Sequence, residues 1–320
     1  MPASRTLPSL GLAPHPSPVE ELSGLRRALG GGPRLLVKRD DALTFAFGGN
    51  KVRKLQLVAA DALQAGADTL ITCGGIQSNH ARVTAAAAAK LGLRCILVVN
   101  GERPERPSGN ALLNRLLGAE IRYVADRPQR AVAMEAAAVE LRKAGNKPYV
   151  IPIGASTALG ATAFIAAASE LCTQCPDPVD VIVHASSSGG TQAGLIAGCS
   201  LVSPGTRVIG VSADEPAASL ERIVRTLLTG IPPFVDAAPE RFDDAPIEVD
   251  DRFVGGGYGV PTVQSQEAIE LLARSEALFL DPTYTAKAMA GLIARVRAGE
   301  FPDDQTVLFW HTGGQVGLFA

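Results

Sequence analysis

A run of small residues, SSSGGTQAG from Ser186 to Gly194, follows an apolar segment and leads into a helical pattern. Glycines let backbone N–H groups approach an oxyanion, hydroxyl groups add donors, and a helix N-terminus contributes positive partial charge. The run matches neither G-x-G-x-x-G nor the nucleoside-triphosphate loop G-x-x-x-x-G-K-[ST]. It predicts a phosphate-binding turn of another kind, although a tight turn without a ligand would explain it equally if it stood alone.

A lysine follows a glycine pair in GGNKVRK, from Gly48 to Lys54. The pattern places Lys51 in the first turn of a helix, where the helix dipole opposes a positive charge and lowers the pKa of the amine. A lysine with a lowered pKa can form a Schiff base with a carbonyl compound. A solvated surface lysine is the alternative, and this is the environment that we expect for Arg53 and Lys54.

A third polar turn, GGIQSNHAR from Gly74 to Arg82, places Ser78, Asn79 and His80 at the start of another helix. A hydroxyl, an amide and an imidazole beside free backbone N–H groups could hold a carboxylate. An ordinary N-cap would use the same residue types, so this turn alone leaves both interpretations open.

Strand-like and helix-like segments alternate along the chain, which is typical of an α/β protein with parallel strands. We expect strands over residues 34–39, 68–74, 94–100, 119–124, 147–151, 179–186, 206–213 and 305–314, and helices over 50–65, 77–90 and 159–171 and from about 108 and 130. The opening to about Pro33 should wrap the surface, and 230–259 should be irregular. Ligands bind at the carboxyl ends of parallel strands, where two of the polar turns begin.

The composition of the 320 residues excludes several classes of protein. A net charge of −2 lacks the basic footprint of a nucleic-acid binder. No stretch of about 18 apolar residues is present, so we expect no membrane span. Five cysteines, an odd number in a chain without an apolar leader, favour the reducing cytoplasm. Cys172 and Cys175 form a C-x-x-C pair without further ligands nearby, and we therefore expect no metal.

Eight segments together resemble the fold-type II family of pyridoxal-phosphate enzymes, also described as tryptophan synthase β-like. The resemblance is strongest to the branch of D-cysteine desulfhydrase, L-cysteate sulfo-lyase and 1-aminocyclopropane-1-carboxylate (ACC) deaminase. It covers nearly the whole chain through VKRDD, GGNKVRK, IQSNHAR, YVIPIGAS, SSSGGTQAG, GGGYGVPT, LDPTYTAKAMAGL and HTGG.

The resemblance implies a set of cofactor-binding residues. Lys51 would hold pyridoxal 5'-phosphate through a Schiff base, Asn79 would bind its phenolic oxygen, and Thr312 would lie near its pyridine nitrogen. The remaining cofactor contacts would come from Asn50, Ser188, Gly189, Gly190 and Thr191, the last four of them at the phosphate.

The resemblance also implies the residues that meet the substrate. Ser78 would bind the substrate carboxylate or act as an acid–base group, and Lys51 would move protons at the substrate carbon. Tyr258 and Tyr284 would line the substrate side of the ring and share in catalysis, and the substrate-binding set would be Ser78, Asn79, His80, Tyr258 and Tyr284.

The implied activity is that of a lyase. A neutral hydroxyl at the pyridine nitrogen makes the ring a weaker electron sink and favours α,β-elimination of a good leaving group. D-cysteine would give pyruvate, hydrogen sulfide and ammonia, and L-cysteate or ACC are alternative substrates. ACC deaminases carry Glu and Gln where this chain has Thr285 and His80, which disfavours ring opening. A non-catalytic pyridoxal-phosphate protein and a nicotinamide oxidoreductase are alternatives from other classes.

The implied architecture is two open, twisted α/β lobes with the cofactor in the cleft between them. Residues 48–161 would form the smaller domain, and 1–47 with 162–320 would form the larger, cofactor-binding domain. The family further implies a cytoplasmic homodimer that acts on a small amino acid, with no nucleic-acid or membrane partner.

Overall fold

Residues 7–320 are described by the computed structural model, and they form two sheets joined by helices. The strands are β1 Val19–Glu21, β2 Arg34–Arg39, β3 Thr69–Gly75, β4 Arg94–Asn100, β5 Glu120–Val124, β6 Pro148–Val150, β7 Val181–Ser186, β8 Arg207–Ser212, β9 Glu248–Asp250 and β10 Thr306–His311. The helices are α1 Ser23–Ala28, α2 Asn50–Gln64, α3 Asn79–Leu91, α4 Gly109–Leu116, α5 Gln129–Lys143, α6 Ala158–Gln174, α7 Gly190–Val202, α8 Ala217–Gly230, α9 Pro232–Val235, α10 Val263–Glu276 and α11 Thr285–Arg297.

The larger sheet has the strand order β1-β2-β10-β7-β8-β9, and the smaller has the order β5-β4-β3-β6. Only β1 pairs in antiparallel fashion; every other pairing in the described chain is parallel. The α/β class is therefore confirmed. The four strands of the smaller sheet all lie within residues 48–161, while the boundaries of the two domains stay a prediction.

The central strands are buried on both faces, as their nearly continuous apolar sequences predict. All six residues of β7 and all six of β10 are buried. Helices α6 and α7 cover one face of the larger sheet, and their contact needs glycine, since a Cβ at Gly194 would lie 2.0 Å from the carbonyl oxygen of Ala161. The predicted N-terminal ends of these two strands, residues 179 and 305, therefore lie within two residues of the observed ones, Val181 and Thr306.

Two segments without a clear periodic signal contain structure that the sequence did not predict. The opening does not merely wrap the surface, because β1 pairs with β2 and Leu22 and Leu25 are buried in the core of the larger sheet. In the stretch 230–259, β9 extends the same sheet and α9 forms one short helix. Elements of three or four residues are too short to show a period of 2 or 3.6.

Helix α2 begins where the two sheets meet. The Asn50 N–H donates to the carbonyl oxygen of Thr312 at 3.0 Å, and the Gly49 N–H donates to that of Asp40 at 2.7 Å. A Cβ at Gly313 would lie 2.6 Å from the Cα of Gly49, so this close backbone approach requires glycine. The start of α2 is thereby fixed to the ends of β2 and β10.

A buried ionic cluster holds the next turn of α2. Arg53 donates to Asp40 at 2.8 Å and to Glu170 at 2.9 Å, and Lys38 also donates to Glu170. The indole of Trp310 donates to Asp40 at 2.8 Å. Burial alone would raise the pKa of Glu170, but its bonds to Arg53 and Lys38 lower that pKa to about 2.

The expectation that Arg53 and Lys54 are solvated is wrong. They are 3% and 1% exposed, because α2 is packed between the sheets and both side chains find polar partners inside. Among residues 7–320, no helix has the length and apolar character that crossing a membrane requires.

The ionic cluster gives a prediction about stability. Arg53→Met should lower the free energy of unfolding by about 3–5 kcal/mol, because it leaves the buried Asp40 without its counter-charge and removes one of the two cations that pair with the partly buried Glu170. The matched control, Arg297→Met, breaks an exposed pair with Glu267 and should change it by less than about 1 kcal/mol. Urea unfolding followed by circular dichroism measures both, and equal effects of the two substitutions would contradict the prediction.

Candidate active site

A cavity of about 250 Å³ opens where the carboxyl ends of β3, β7 and β10 face one another. This is the edge at which open parallel sheets bind ligands. Every predicted site residue except Gly190 lies on its wall, and Gly190 begins α7 between two wall residues. The wall residues are Asn50, Lys51, Ser78, Asn79, His80, Ser188, Gly189, Thr191, Tyr258, Tyr284 and Thr312. The structure thus brings the predicted residues together, and their individual roles stay predictions.

Lys51 is the second residue of α2, and its side chain reaches into the cavity. The ammonium nitrogen donates to the Asn50 Oδ1 at 3.1 Å. Burial lowers the pKa of Lys51 to about 8; Asp281 opposes this change and Arg82 adds to it. The sequence placed Lys51 in this turn, but desolvation is the main cause of the lowered pKa and was invisible in the sequence.

The predicted phosphate turn connects β7 to α7. Gly189 has a φ of 75°, and α7 then begins at Gly190, whose N–H donates to the Ser156 Oγ at 3.3 Å. The N-cap residue is a glycine, so it supplies no side-chain cap to the N–H groups that follow. The Asn50 Nδ2 donates to the Thr191 Oγ1 at 3.0 Å, while the Ser188 and Ser156 hydroxyls are 2.7 Å apart. Uncapped helix N–H groups ringed by hydroxyls form a site for an anion.

Lys54 lies directly beneath this turn. Its ammonium nitrogen donates to the Gly154 carbonyl oxygen at 3.3 Å and to the Ser156 Oγ at 3.2 Å. Within residues 7–320 no carboxylate pairs with it. Burial, followed by the charge of Lys51, lowers the pKa of Lys54 well below its usual value. Its spacing of three from Lys51 puts both on one face of α2, and this was the signal that sequence reasoning passed over.

These surroundings fit a phosphate group. The Ser186 Oγ is buried at the cavity wall and has no hydrogen-bond partner among the described residues. A Cβ at Gly190 would lie 2.7 Å from the Ser156 Oγ and 2.8 Å from the Lys54 Nζ, so glycine keeps this space free. A buried cation with only neutral partners is stabilised by a bound anion.

Ser78 serves as the N-cap of α3 and also lines the cavity. Its Oγ accepts a hydrogen bond from the Ala81 N–H at 3.2 Å. His80 is buried, its Nε2 lies 2.7 Å from the Thr72 Oγ1, and burial holds its pKa well below the usual value. The N-cap and the ligand-binding interpretations are therefore compatible, because an N-cap at a cavity wall leaves other first-turn N–H groups available to a carboxylate.

The orientation of the Asn79 amide is set by its neighbours. Its Oδ1 accepts from Arg82 at 2.9 Å and from Asn110 at 2.8 Å. The amide nitrogen is thus left as the donor toward the cavity. Thr312, 8% exposed at the end of β10, supplies a hydroxyl to the same cavity.

Tyr258 and Tyr284 form a hydrogen-bonded pair at the cavity wall. Their hydroxyl oxygens are 2.5 Å apart, and their rings meet edge to face. Burial raises the pKa of both phenols, that of Tyr284 well above its usual value. Both are therefore protonated at neutral pH; one hydroxyl donates to the other, whose own proton is left for a further hydrogen bond.

Two arginines of the cavity wall were missed by sequence reasoning. Arg127 donates to Asp214 at 3.1 Å and lies over the ring of Tyr258, with 4.7 Å between guanidinium carbon and ring centroid. Arg130 follows in the first turn of α5. No local pattern distinguishes them from surface arginines, since only the strand order brings this turn to the cavity.

Comparison with known proteins identifies the class. The family model described as pyridoxal-phosphate dependent enzyme matches residues 10–313, so the chain belongs to this family and uses pyridoxal phosphate as its cofactor. The fold-type II architecture and the cofactor predicted from the sequence are confirmed.

Within this family, the chain is similar over nearly its whole length to several individual proteins. The chain is 41% identical over 321 residues to a D-cysteine desulfhydrase of Klebsiella pneumoniae subsp. pneumoniae, covering 98% of this chain and 96% of the relative. A second D-cysteine desulfhydrase, from Klebsiella pneumoniae, is 40% identical with the same coverage. Among solved structures, an ACC deaminase homologue aligns with a TM-score of 0.91 at 36% identity, covering 98% of this chain and 94% of that one. A pyridoxal 5'-phosphate-dependent aspartate racemase shares the fold, with a TM-score of 0.69, 18% identity and coverages of 93% and 90%.

The free space at Gly190 gives a prediction about cofactor binding. Gly190→Ala should weaken binding of pyridoxal phosphate to the apoprotein about 10- to 100-fold, because the added carbon displaces two donors from the phosphate. Gly205→Ala is the control, since a Cβ there meets no atom within 4 Å. Fluorescence titration of the apoproteins measures both affinities. Unchanged affinity in Gly190→Ala would show that the phosphate does not bind at this turn.

The lowered pKa of Lys51 predicts how reconstitution depends on pH. Only the neutral amine attaches the cofactor, so the rate of covalent attachment should rise with pH and reach half its maximum near pH 8, the pKa of Lys51. A free lysine side chain would give a midpoint near about 10.4. Stopped-flow absorbance of the apoprotein mixed with pyridoxal phosphate measures the rate, and a midpoint at the free-lysine value would contradict burial of this amine.

Proposed function

We propose that this protein is a D-cysteine desulfhydrase, which converts D-cysteine and water to pyruvate, hydrogen sulfide and ammonia. The observation that supports the proposal is that Lys51, Ser78 and the Tyr258–Tyr284 pair all line the same cavity. The full-length similarity to two D-cysteine desulfhydrases supports it.

Residues from both sides of the cavity hold the cofactor in this proposal. Pyridoxal phosphate, when bound, supplies a carbonyl carbon for the substrate amine and a conjugated ring that accepts electrons from Cα. Ser188 to Thr191 and Lys54 bind its phosphate, Asn79 donates to its phenolic oxygen, and Thr312 lies at its pyridine nitrogen. Asn50 supports both Lys51 and Thr191 through the two ends of its amide.

The proton transfers fall to groups whose pKa values suit them. Lys51 takes the proton from Cα, because an amine with a pKa of about 8 is a base near neutral pH. Ser78 and the first turn of α3 bind the substrate carboxylate. The Tyr258–Tyr284 pair, protonated at neutral pH, donates a proton as the sulfur group leaves.

Thr285, which stands where ACC deaminases carry Glu, supports a desulfhydrase rather than an ACC deaminase. Thr285 is fully buried, and its hydroxyl donates to the Asp281 Oδ1 at 2.7 Å. The carboxylate that the resemblance associates with ACC ring opening is thus replaced by a hydroxyl already engaged at the start of α11.

We also propose that the protein works as a cytoplasmic homodimer. The resemblance implies the dimer, and all five cysteines are free thiols, which suits a reducing compartment. The mass in solution, measured by light scattering, checks the dimer, and a monomeric mass would reject it.

A substrate panel tests the activity. The purified holoprotein should form pyruvate and hydrogen sulfide from D-cysteine at a rate well above those for L-cysteate, ACC and D-serine, and Lys51→Ala should abolish turnover. Pyruvate, 2-oxobutanoate, sulfide and sulfite are measured separately. Sulfite from L-cysteate as the dominant product, or 2-oxobutanoate from ACC, would assign the sister activity instead. No turnover of any substrate by cofactor-loaded protein would favour a non-catalytic role.

A further inference from the structure

Arg130 is a buried cation on the cavity wall, and no carboxylate within residues 7–320 pairs with it. Its side chain lies in the first turn of α5, and the residue is 8% exposed. One amino group donates to the side-chain oxygen of Asn100, while Nε is buried and has no partner in the described part of the chain. Arg127, three residues earlier, differs because Asp214 pairs with its charge.

A guanidinium in this state indicates an anionic ligand. Burial is the main reason that the pKa of Arg130 lies below its usual value, although arginine remains charged. Removing a charge from water without a counter-ion is unfavourable, and an anion with hydrogen-bond acceptors would compensate both the charge and the free Nε.

The other anions of the proposed reaction already have separate partners. The cofactor phosphate is assigned to the turn before α7, above Lys54, and the substrate carboxylate to Ser78 and the start of α3. Arg130 instead approaches the end of β3 on the side of the tyrosine pair. A Cβ at Gly75 would lie 3.9 Å from its NH2 group and 3.5 Å from the Tyr258 Cε1. Arg130 and Tyr258 therefore face a common region.

We propose that Arg130 is a specificity-determining residue that pairs with the sulfur substituent on Cβ of the substrate. The inference rests on the proposed elimination and extends it to one ligand chemistry, a sulfur group that leaves as an anion. The thiol of cysteine and the sulfonate of cysteate share this chemistry.

The role of Arg130 follows from the electrons that the elimination releases. The Cα–H proton passes to Lys51, a Cα=Cβ double bond forms, and the Cβ–S bond breaks with its electron pair on sulfur. A thiol leaves as hydrosulfide and a sulfonate as sulfite. The fixed guanidinium stabilises that charge where it develops. Chloride is a much weaker base and leaves readily without such help.

The test compares leaving groups within each configuration. The cofactor-loaded Arg130→Met protein should lose about 10- to 100-fold in the ratio of kcat/KM for D-cysteine to that for β-chloro-D-alanine. The ratio for L-cysteate to β-chloro-L-alanine should fall as well if L-cysteate is turned over. Arg142→Met is the matched control on the same helix, because Arg142 pairs with Glu135 at the surface, and it should leave both ratios at the wild-type value.

Each outcome separates the inference from the proposed function. Absence of sulfur-substrate turnover by the wild type rejects the proposed function itself. If Arg130→Met lowers kcat/KM equally for the sulfur and chloro substrates, Arg130 binds the carboxylate or supports the fold, and the inference is overturned. A variant with unchanged kcat/KM on both substrates also overturns it. If Arg130→Met does not fold, Asn100→Ala removes the partner that holds the guanidinium, and the same ratio must fall in that variant.

Discussion

The anchoring of helix α2 at the seam between the two sheets is the constraint on which the site depends. Its first N–H groups bond to carbonyl oxygens that follow β2 and β10, and Arg53 ties its second turn to Asp40 and Glu170. Because Lys51 lies between these two attachments, the backbone that carries its amine has little freedom relative to the larger sheet. A reactive amine held on a rigid element is better positioned than one on a loop.

The buried cations of this region fall into two groups, and their partners explain the difference. Arg53 and Lys38 meet carboxylates, so their charges are balanced within the protein and their role is to hold elements together. Lys54 and Arg130 meet only carbonyl, hydroxyl or amide oxygens. Arg130 lines the cavity and Lys54 lies beneath the turn at its wall, whereas Arg53 and Lys38 are not part of the lining. This distribution suits a site that receives a phosphate and a charged amino acid, since the ligands complete the charge balance.

The sequence predicted the parts of the molecule whose signals are local. The apolar runs of β7 and β10, the small residues from Ser186 to Gly194 and the lysine after a glycine pair each define their structure within a few residues. The burial of Lys54 was not predictable in the same way, because a charged residue on a helix is expected to be solvent-exposed unless its packing partners are known. Arg130 shows the same limit, since its position at the cavity follows from sheet order rather than from its neighbours in the chain.

The division of the site between the sheets has a chemical consequence. In the proposed function, the turn after β7 and the end of β10 would hold the parts of the cofactor that do not change in the reaction, namely the phosphate and the pyridine nitrogen. Ser78, which follows β3, and Arg130, in the first turn of α5, line the cavity on the side of the smaller sheet, where the substrate is proposed to bind. Substitutions around the smaller sheet can therefore change the accepted leaving group while the phosphate site stays intact. In this arrangement, movement of the smaller sheet would alter the substrate contacts together with the Asn79 contact, while the phosphate turn after β7 stays in place, so closure around a bound substrate could exclude water without releasing the phosphate.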